Sequence, residues 1–378
     1  MYTREQLKMR HMPFSGLRYS TEAFVDYCLD ECKPKFNYAL VGPGVSQSES
    51  QPVSLREPHG FQVGGVRMPH GKVNPPHLHF TCEVFICTRG QWEIRWGYDP
   101  EFQSVLITEG DLISVPTWIF RGFRNVGIDD GFLFTTLGGD NTGGIIWAPE
   151  VLEAARENGV LLTNQYRLVD TKRGESLSSG ESLLEPLSES ERSKLQRWTP
   201  EQMATRVMRS NGLQWSDKAL LDHLLPGCGA EIAPAIGFGV SERATGLPPI
   251  LNPHGVSLEW VRFKQGVRWS RHRIMEKQVL LVTEGCIELE VEGTDSNALF
   301  QLEGSEKGWD SYSIPEGCWR EMRQVGDTPA KALLMTAGDH RKHIEWDPAI
   351  VRAALNLDLT RDASGYLAQL SVLRKAQA

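Results

Sequence analysis

The sequence is short of the features that mark nucleic-acid, membrane and disulfide-bound proteins. Lys and Arg number 40 against 48 Asp and Glu, for a formal net charge of -8. The basic residues are dispersed and form no patch of the kind that tracks phosphates, so no nucleic-acid partner is expected. No apolar run has the length of a bilayer span, and no membrane partner is expected. Met1 to Arg10 has no apolar signal-peptide core, which makes a cytoplasmic protein the expectation. Cysteines number seven, an odd count in a long chain, which argues against a disulfide framework. Cys28 and Cys32 share helical spacing within Ala23 to Cys32, but no second pair follows to complete a zinc site. They read as buried thiols. Cys82 and Cys87 have opposite parity, so on extended chain they face opposite sides.

What the chain does have is a repeat. Pro58-His59-Gly60 recurs as Pro253-His254-Gly255, an offset of 253 − 58 = 195 residues. Val66-Arg67, Gly71, His77 and Gly90 recur at the same offset as Val261-Arg262, Gly266, His272 and Gly285. Further on the offset is 315 − 116 = 199: Pro116, Arg121, Gly139-Asp140 and Trp147 match Pro315, Arg320, Gly338-Asp339 and Trp346. One change in a constant offset implies one small insertion in the second copy, near the loop-like Gly293 to Gly308. Thr3-Arg4-Glu5-Gln6 and Thr199-Pro200-Glu201-Gln202 also match. The copies are joined by a polar, serine-rich stretch. The expected organisation is 1–170, a linker 171–195, and 196–378.

The local pattern is strand. Trp92, Ile94 and Trp96 alternate with Glu93 and Arg95, as Ile287, Leu289 and Val291 alternate with Glu288, Glu290 and Glu292; period two marks half-buried strands. Thr88 to Gln91 and Thr283 to Cys286 read as hairpin turns leading into them. A helix is expected near the end of each copy: one from Pro149 with Gly159 as its stop, one from Asp347-Pro348. Asp362 to Ala378 reads as a further helix.

His77, His79 and Glu83 share one parity, so two imidazoles and a carboxylate converge on one face of extended chain. With coordination positions left open, that set suits Fe(II), and also serves manganese, nickel or zinc. In the second copy only His272 survives; Ile274 and Gln278 stand at the other two positions, and the second copy is expected to hold no metal.

The run from Gly71 through His77-Leu78-His79, Glu83 and Gly90 resembles the first cupin motif in every spacing. Gly110-Asp111 through Pro116 to Asn125 resembles the second, with Arg121 at the place of the family's late histidine and Trp118 at that of a glycine. The resemblance implies an all-β fold: two tandem cupin (double-stranded β-helix) barrels from an internal duplication, with short flanking helices. It also implies assembly into a homo-oligomer. Asn74-Pro75-Pro76-His77-Leu78-His79 and Pro116-Thr117-Trp118 resemble gentisate 1,2-dioxygenase and related ring-cleaving bicupins, which carry metal in one barrel. That likeness implies a non-haem iron dioxygenase acting on a small aromatic or carboxylated substrate. A cupin-type lyase, isomerase or decarboxylase and a non-catalytic binding bicupin are the alternatives.

Arg121 cannot ligate a metal. Either it pairs with Glu83 in the metal's place, or it clamps an anionic substrate group in bidentate fashion beside an open two-His-one-carboxylate face. Trp118, Trp96 and His70 are candidate pocket residues with it. His59 and His254 are equivalent across copies and read as structural.

Overall fold

Extended chain with one apolar face must bury that face, and a β-rich chain does so by curling or stacking its sheets. In the computed structural model, which describes residues 2–98 and 102–376, the chain divides into two units. One is Arg18–Gly212; the other is Leu213–Ala378 together with Met1–Leu17. The arm that precedes each copy therefore belongs to the unit of the other copy. Both arms begin with a capping box, in which Thr3 and Thr199 accept from the backbone of Gln6 and Gln202. Met12 pairs with Ser311, and Met208 pairs with Leu112. Among the described residues, no helix is long and apolar enough to cross a membrane.

In the unit Arg18–Gly212, the larger sheet runs Val207–Met208, Leu112–Val115, Glu83–Arg89, Gly131–Gly138, Phe61–Met68, Phe36–Val41 and Tyr19–Ser20. The smaller runs Ile145–Trp147, Val73–His79, Arg121–Asn125, Gln91–Trp96 and Gln103–Thr108. Side chains of alternate parity fill the space inside, among them Val66, Phe85, Ile94, Phe123 and Leu133, all buried. A second cluster packs the helix Pro149–Glu157 and Trp147 around Val25 and Leu29.

Four expectations are corrected. The Thr88 to Gln91 stretch is no hairpin: Glu83–Arg89 and Gln91–Trp96 lie in different sheets. Gly90, at φ +86°, lets one strand path bend from sheet to sheet. In the second copy the same path is the unbroken strand Gln278–Val291, with a register shift between Val282 and Glu284. The insertion is not wholly loop, since Ala298–Ser305 extends a strand. Ala23 to Cys32 holds only a short 3-10 turn, Val25–Cys28, and both cysteines are free thiols. Asp362 opens the turn of a hairpin, Leu359–Arg361 with Leu367–Gln369, and only Leu370–Ala376 is helix; Gln377 and Ala378 lie outside the described residues. The helices after the barrels form where expected, and the Asp347 side chain accepts from the Ala349 N–H at its N-cap.

Candidate metal centre

Strand pairing positions the ligands. Val73–His79 lies between Arg121–Asn125 and Ile145–Trp147, with His77 opposite both Arg121 and Trp147, and His79 opposite Ile145. Glu83 opens the next strand, opposite Leu137 and Val115. One potential ligand atom from each of His77, His79 and Glu83 lies within 4.8 Å of the others. All three residues are buried. His79 Nε2 stands 3.3 Å from Glu83 Oε2.

Their hydrogen bonding suits a cation. The His77 Nδ1–H donates to the Pro75 carbonyl at 2.8 Å, which leaves the Nε2 lone pair free to ligate. His79 Nδ1 and Glu83 Oε2 are buried without a hydrogen-bond partner, and a buried unpaired polar atom is costly. Burial pushes His77 down to about 3, with the Arg121 and Lys35 charges acting in the same direction. Burial likewise holds His79 well below its ordinary value. Both imidazoles are therefore in the neutral form that binds metal. Burial pushes the Glu83 carboxyl up to about 7, against the pull of Arg121. The residues present fit a divalent metal.

The three side chains face a cavity of about 90 Å³ walled by Tyr38, Gly64, Phe123, Thr135, Leu137 and Trp147 and bordered by Pro43, Gly44 and Val45. Its polar lining is amide and hydroxyl, from Asn37, Gln51, Gln62, Asn74 and Thr135; none of the described lining residues is Lys or Arg. Behind His77, Asn74 Nδ2 approaches Nδ1 at 3.3 Å. The Asn74 oxygen accepts from buried Lys35 at 2.6 Å, and Lys35 pairs with buried Asp26. Sequence reading missed this network because Asp26, Lys35 and Asn74 are far apart in the chain.

Arg121 is fully buried. It donates to the carbonyls of Val115 (3.3 Å), Pro116 (2.5 Å) and Ile119 (3.3 Å from Nη2), and its Nη1 stands 3.7 Å from Glu83 Oε2. Most of its donors are thus spent on the backbone of 115–119. Neither Arg121 nor the other pocket candidates are among the described residues that line this cavity. Trp96 is in the core, its indole N–H donating to the Trp198 carbonyl. Trp118 is 45% exposed and packs on Phe80. Its φ of +60° is one that glycine adopts freely, as the motif's glycine at that place would. His70 Nδ1 contacts the Gly127 carbonyl.

The second barrel repeats the scaffold without the ligands. His272 Nδ1 donates to the Ser270 carbonyl at 2.7 Å, while Ile274 is fully buried. Arg320 donates to the carbonyls of Ile274 and Cys318 and to Gln278 Oε1. Trp269, at the position of Asn74, stacks on His272 with ring centroids 4.4 Å apart. Glu259, at the position of Gly64, is buried and accepts from the Val240 N–H at 2.7 Å. Among the described residues, the only cluster of His, Cys, Asp and Glu placed to hold a metal is His77, His79 and Glu83.

No family model matches the sequence, and no curated protein matches it. Solved structures do match in shape. Vicilin of hazelnut, Corylus avellana, superposes with TM-score 0.52 at 11% identity, over 89% of this chain and 87% of that one. Oxalate decarboxylase of Bacillus subtilis gives 0.51 at 12%, over 92% and 82%. Oxalate decarboxylase of Lactobacillus farciminis, solved as a formate complex, gives 0.52 at 13%, over 88% of each. The chain has the two-barrel cupin fold. At such identities the likeness shows the bicupin architecture alone, and a ring-cleaving dioxygenase is not among these three relatives.

Proposed function

We propose that this bicupin is a metal-dependent enzyme for a small molecule bound in its first barrel, with His77, His79 and Glu83 holding one divalent metal. The observation that carries the reading is the coincidence of two neutral buried imidazoles, a buried carboxylate and unpartnered polar atoms at a cavity. A two-His-one-carboxylate set leaves coordination positions open and is the set used by iron(II) oxygenases. We therefore take Fe(II) and oxidation of a small substrate as the first assignment, with manganese, nickel and zinc as the other metals the set accepts. When bound, the metal supplies Lewis acidity and, if it is iron, redox chemistry. Arg121 acts in this reading on Glu83, orienting it and the 115–119 backbone. The amides of Asn37 and Gln51 orient the substrate, and Trp147 and Phe123 exclude water from it. The second barrel is structural and metal-free, and the chain forms a homo-oligomer, which light scattering of the purified protein checks.

The likeness to oxalate decarboxylases supports a second reading, a metal-dependent lyase that turns over without oxygen. The likeness to vicilin and the Arg121–Glu83 approach support a third, a metal-free binding protein. Metal content decides first: wild type is expected to hold near one metal per chain after anaerobic iron loading, and His77→Ala/His79→Ala none. Oxygen uptake with a panel of small aromatic and carboxylated acids then separates oxidation from lyase chemistry. Absence of metal from loaded wild type overturns both enzymatic readings.

A further inference from the structure

A second, larger cleft lies in the same unit, away from the metal ligands. It encloses about 350 Å³ and is walled by Trp96, Tyr98, Phe120 and Trp198, with Arg192 and Arg197 among the residues that close it. That volume is within the range of about 300–1,000 Å³ typical of small-molecule pockets, which combine apolar walls with a few placed polar groups. The cavity beside the metal ligands is far smaller.

The polar side of the cleft is cationic. Arg192 lies over the Tyr98 ring at 5.3 Å, and its Nη1 reaches only the Leu187 carbonyl, at 3.4 Å. Its Nε is buried and has no hydrogen-bond partner. The Arg192 guanidinium is only partly buried, and a carboxylate is the group that best meets the donors it leaves open to the cleft. None of the described residues lining the cleft is Asp or Glu, so no described wall residue supplies that anion. The rings supply a stacking surface: Trp198 has Arg206 over it at 5.5 Å, and its backbone carbonyl is fixed by Trp96 Nε1 at 2.9 Å. The second barrel does not repeat the feature, having Val291 and Gly293 at the positions of Trp96 and Tyr98.

We infer that this cleft is a ligand site for a planar aromatic carboxylate, stacked between Tyr98 and Trp198 over the buried Trp96 and paired with Arg192. The site is independent of any metal in the first barrel.

The probe is 1-naphthoate, a bicyclic carboxylate, titrated calorimetrically into the full-length protein. Saturable binding is expected. It is expected to weaken roughly tenfold or more in Arg192→Met, which keeps the apolar stem and removes a charge-assisted hydrogen bond. The uncharged analogue 1-naphthalenemethanol is expected to bind wild type more weakly by a similar factor. His77→Ala/His79→Ala is expected to bind naphthoate as wild type does. The proposal is overturned if naphthoate does not saturate wild type at millimolar concentration. It is also overturned if Arg192→Met and the uncharged analogue bind as tightly, or if the histidine variant loses binding. Arg192 ends a short surface helix, Glu189–Arg192, so the fold is expected to tolerate its replacement, and circular dichroism of the variant checks this.

Discussion

Glu83→Gln separates what the carboxylate does for chemistry from what it costs the fold. The Glu83 carboxyl is pushed by burial to about 7 from an ordinary 4.5. Its folded-state value is raised, so stability is greatest below about pH 4.5 and is lost as pH rises toward and through 7. In metal-free protein at pH 8, ionising it costs about 3 kcal/mol, at roughly 1.4 kcal/mol per pH unit of displacement. Gln removes that cost, and the second barrel shows the seat: Arg320 donates to Gln278 Oε1. There the Gln278 amide nitrogen donates to Thr336 at 2.9 Å, whereas the first barrel has Leu137 at that position. The unpaired amide returns about 1–2 kcal/mol of the gain. Urea unfolding in chelator is therefore expected to show Glu83→Gln more stable than wild type by about 1–2 kcal/mol at pH 8. Near pH 5 the advantage is expected to vanish, since Glu83 is then protonated in the folded chain, and the variant should no longer bind metal at either pH. Adding Leu137→Thr should raise the gain. A variant that is less stable at pH 8, or equally shifted at both pH values, would refute the reasoning.

Arg121→Met strands the Val115, Pro116 and Ile119 carbonyls and leaves Glu83 without its cation, which should cost about 3–5 kcal/mol in the same unfolding assay. Combining it with Glu83→Gln should return part of that loss. Asp347→Ala removes the cap to Ala349 N and should lower stability by about 1 kcal/mol, read as a shift in thermal midpoint, with metal content unchanged. Ile274→His/Gln278→Glu, placed in a His77→Ala/His79→Ala background, writes the ligand set into the second barrel. It should bind cobalt(II) at least tenfold more weakly than the first barrel of wild type, because residues around metal ligands contribute on that scale and Trp269 and Glu259 take up the space. Cobalt d–d absorption reads the difference; equal affinity would mean that the ligands alone suffice.

Much of this was legible in the sequence, and for stated reasons. The repeat set the two barrels, and parity put His77 and His79 on one face of their strand, while Glu83 joins them from the next strand, in the other sheet. Turns were the weak point. Gly90 and Gly285 read as hairpin tips, since a glycine between alternating segments carries the same local signal whether the chain reverses or bends. Only the pairing of Glu83–Arg89 and Gln91–Trp96 with different neighbours distinguishes them. Trp96 and Trp118 looked alike by nearness to the motifs, yet one is core and the other largely solvent-facing. The Asp26–Lys35–Asn74 chain was invisible, because a buried ion pair is recognised by distance in space, and its members are ordinary polar residues in the sequence.

The two barrels together also bear on the role of Arg121. Taken alone, an arginine 3.7 Å from Glu83 looks like a cation standing in for one. But Arg320 stands at the same place in a barrel where Ile274 and Gln278 replace two ligands, and it pairs with an uncharged amide there. The two arginines share one backbone contact, to the carbonyl of Ile119 or Cys318 before the strand, and each also approaches residue 83 or 278. What differs between the copies is room: Gly64 leaves the cavity open, while Glu259 is buried at that position and tethers Val240. In the first barrel the loop is tethered one step along the same face, by Gln62 Oε1 accepting from Gly44 N at 2.6 Å. Gln62 does there what Glu259 does in the second barrel, so residue 64 can be a glycine without freeing the loop. The ligand set occurs in the copy that has space beside it, and the arginine occurs in both. The Arg121–Glu83 approach thus has a counterpart, Arg320–Gln278, in the copy that lacks the ligand set.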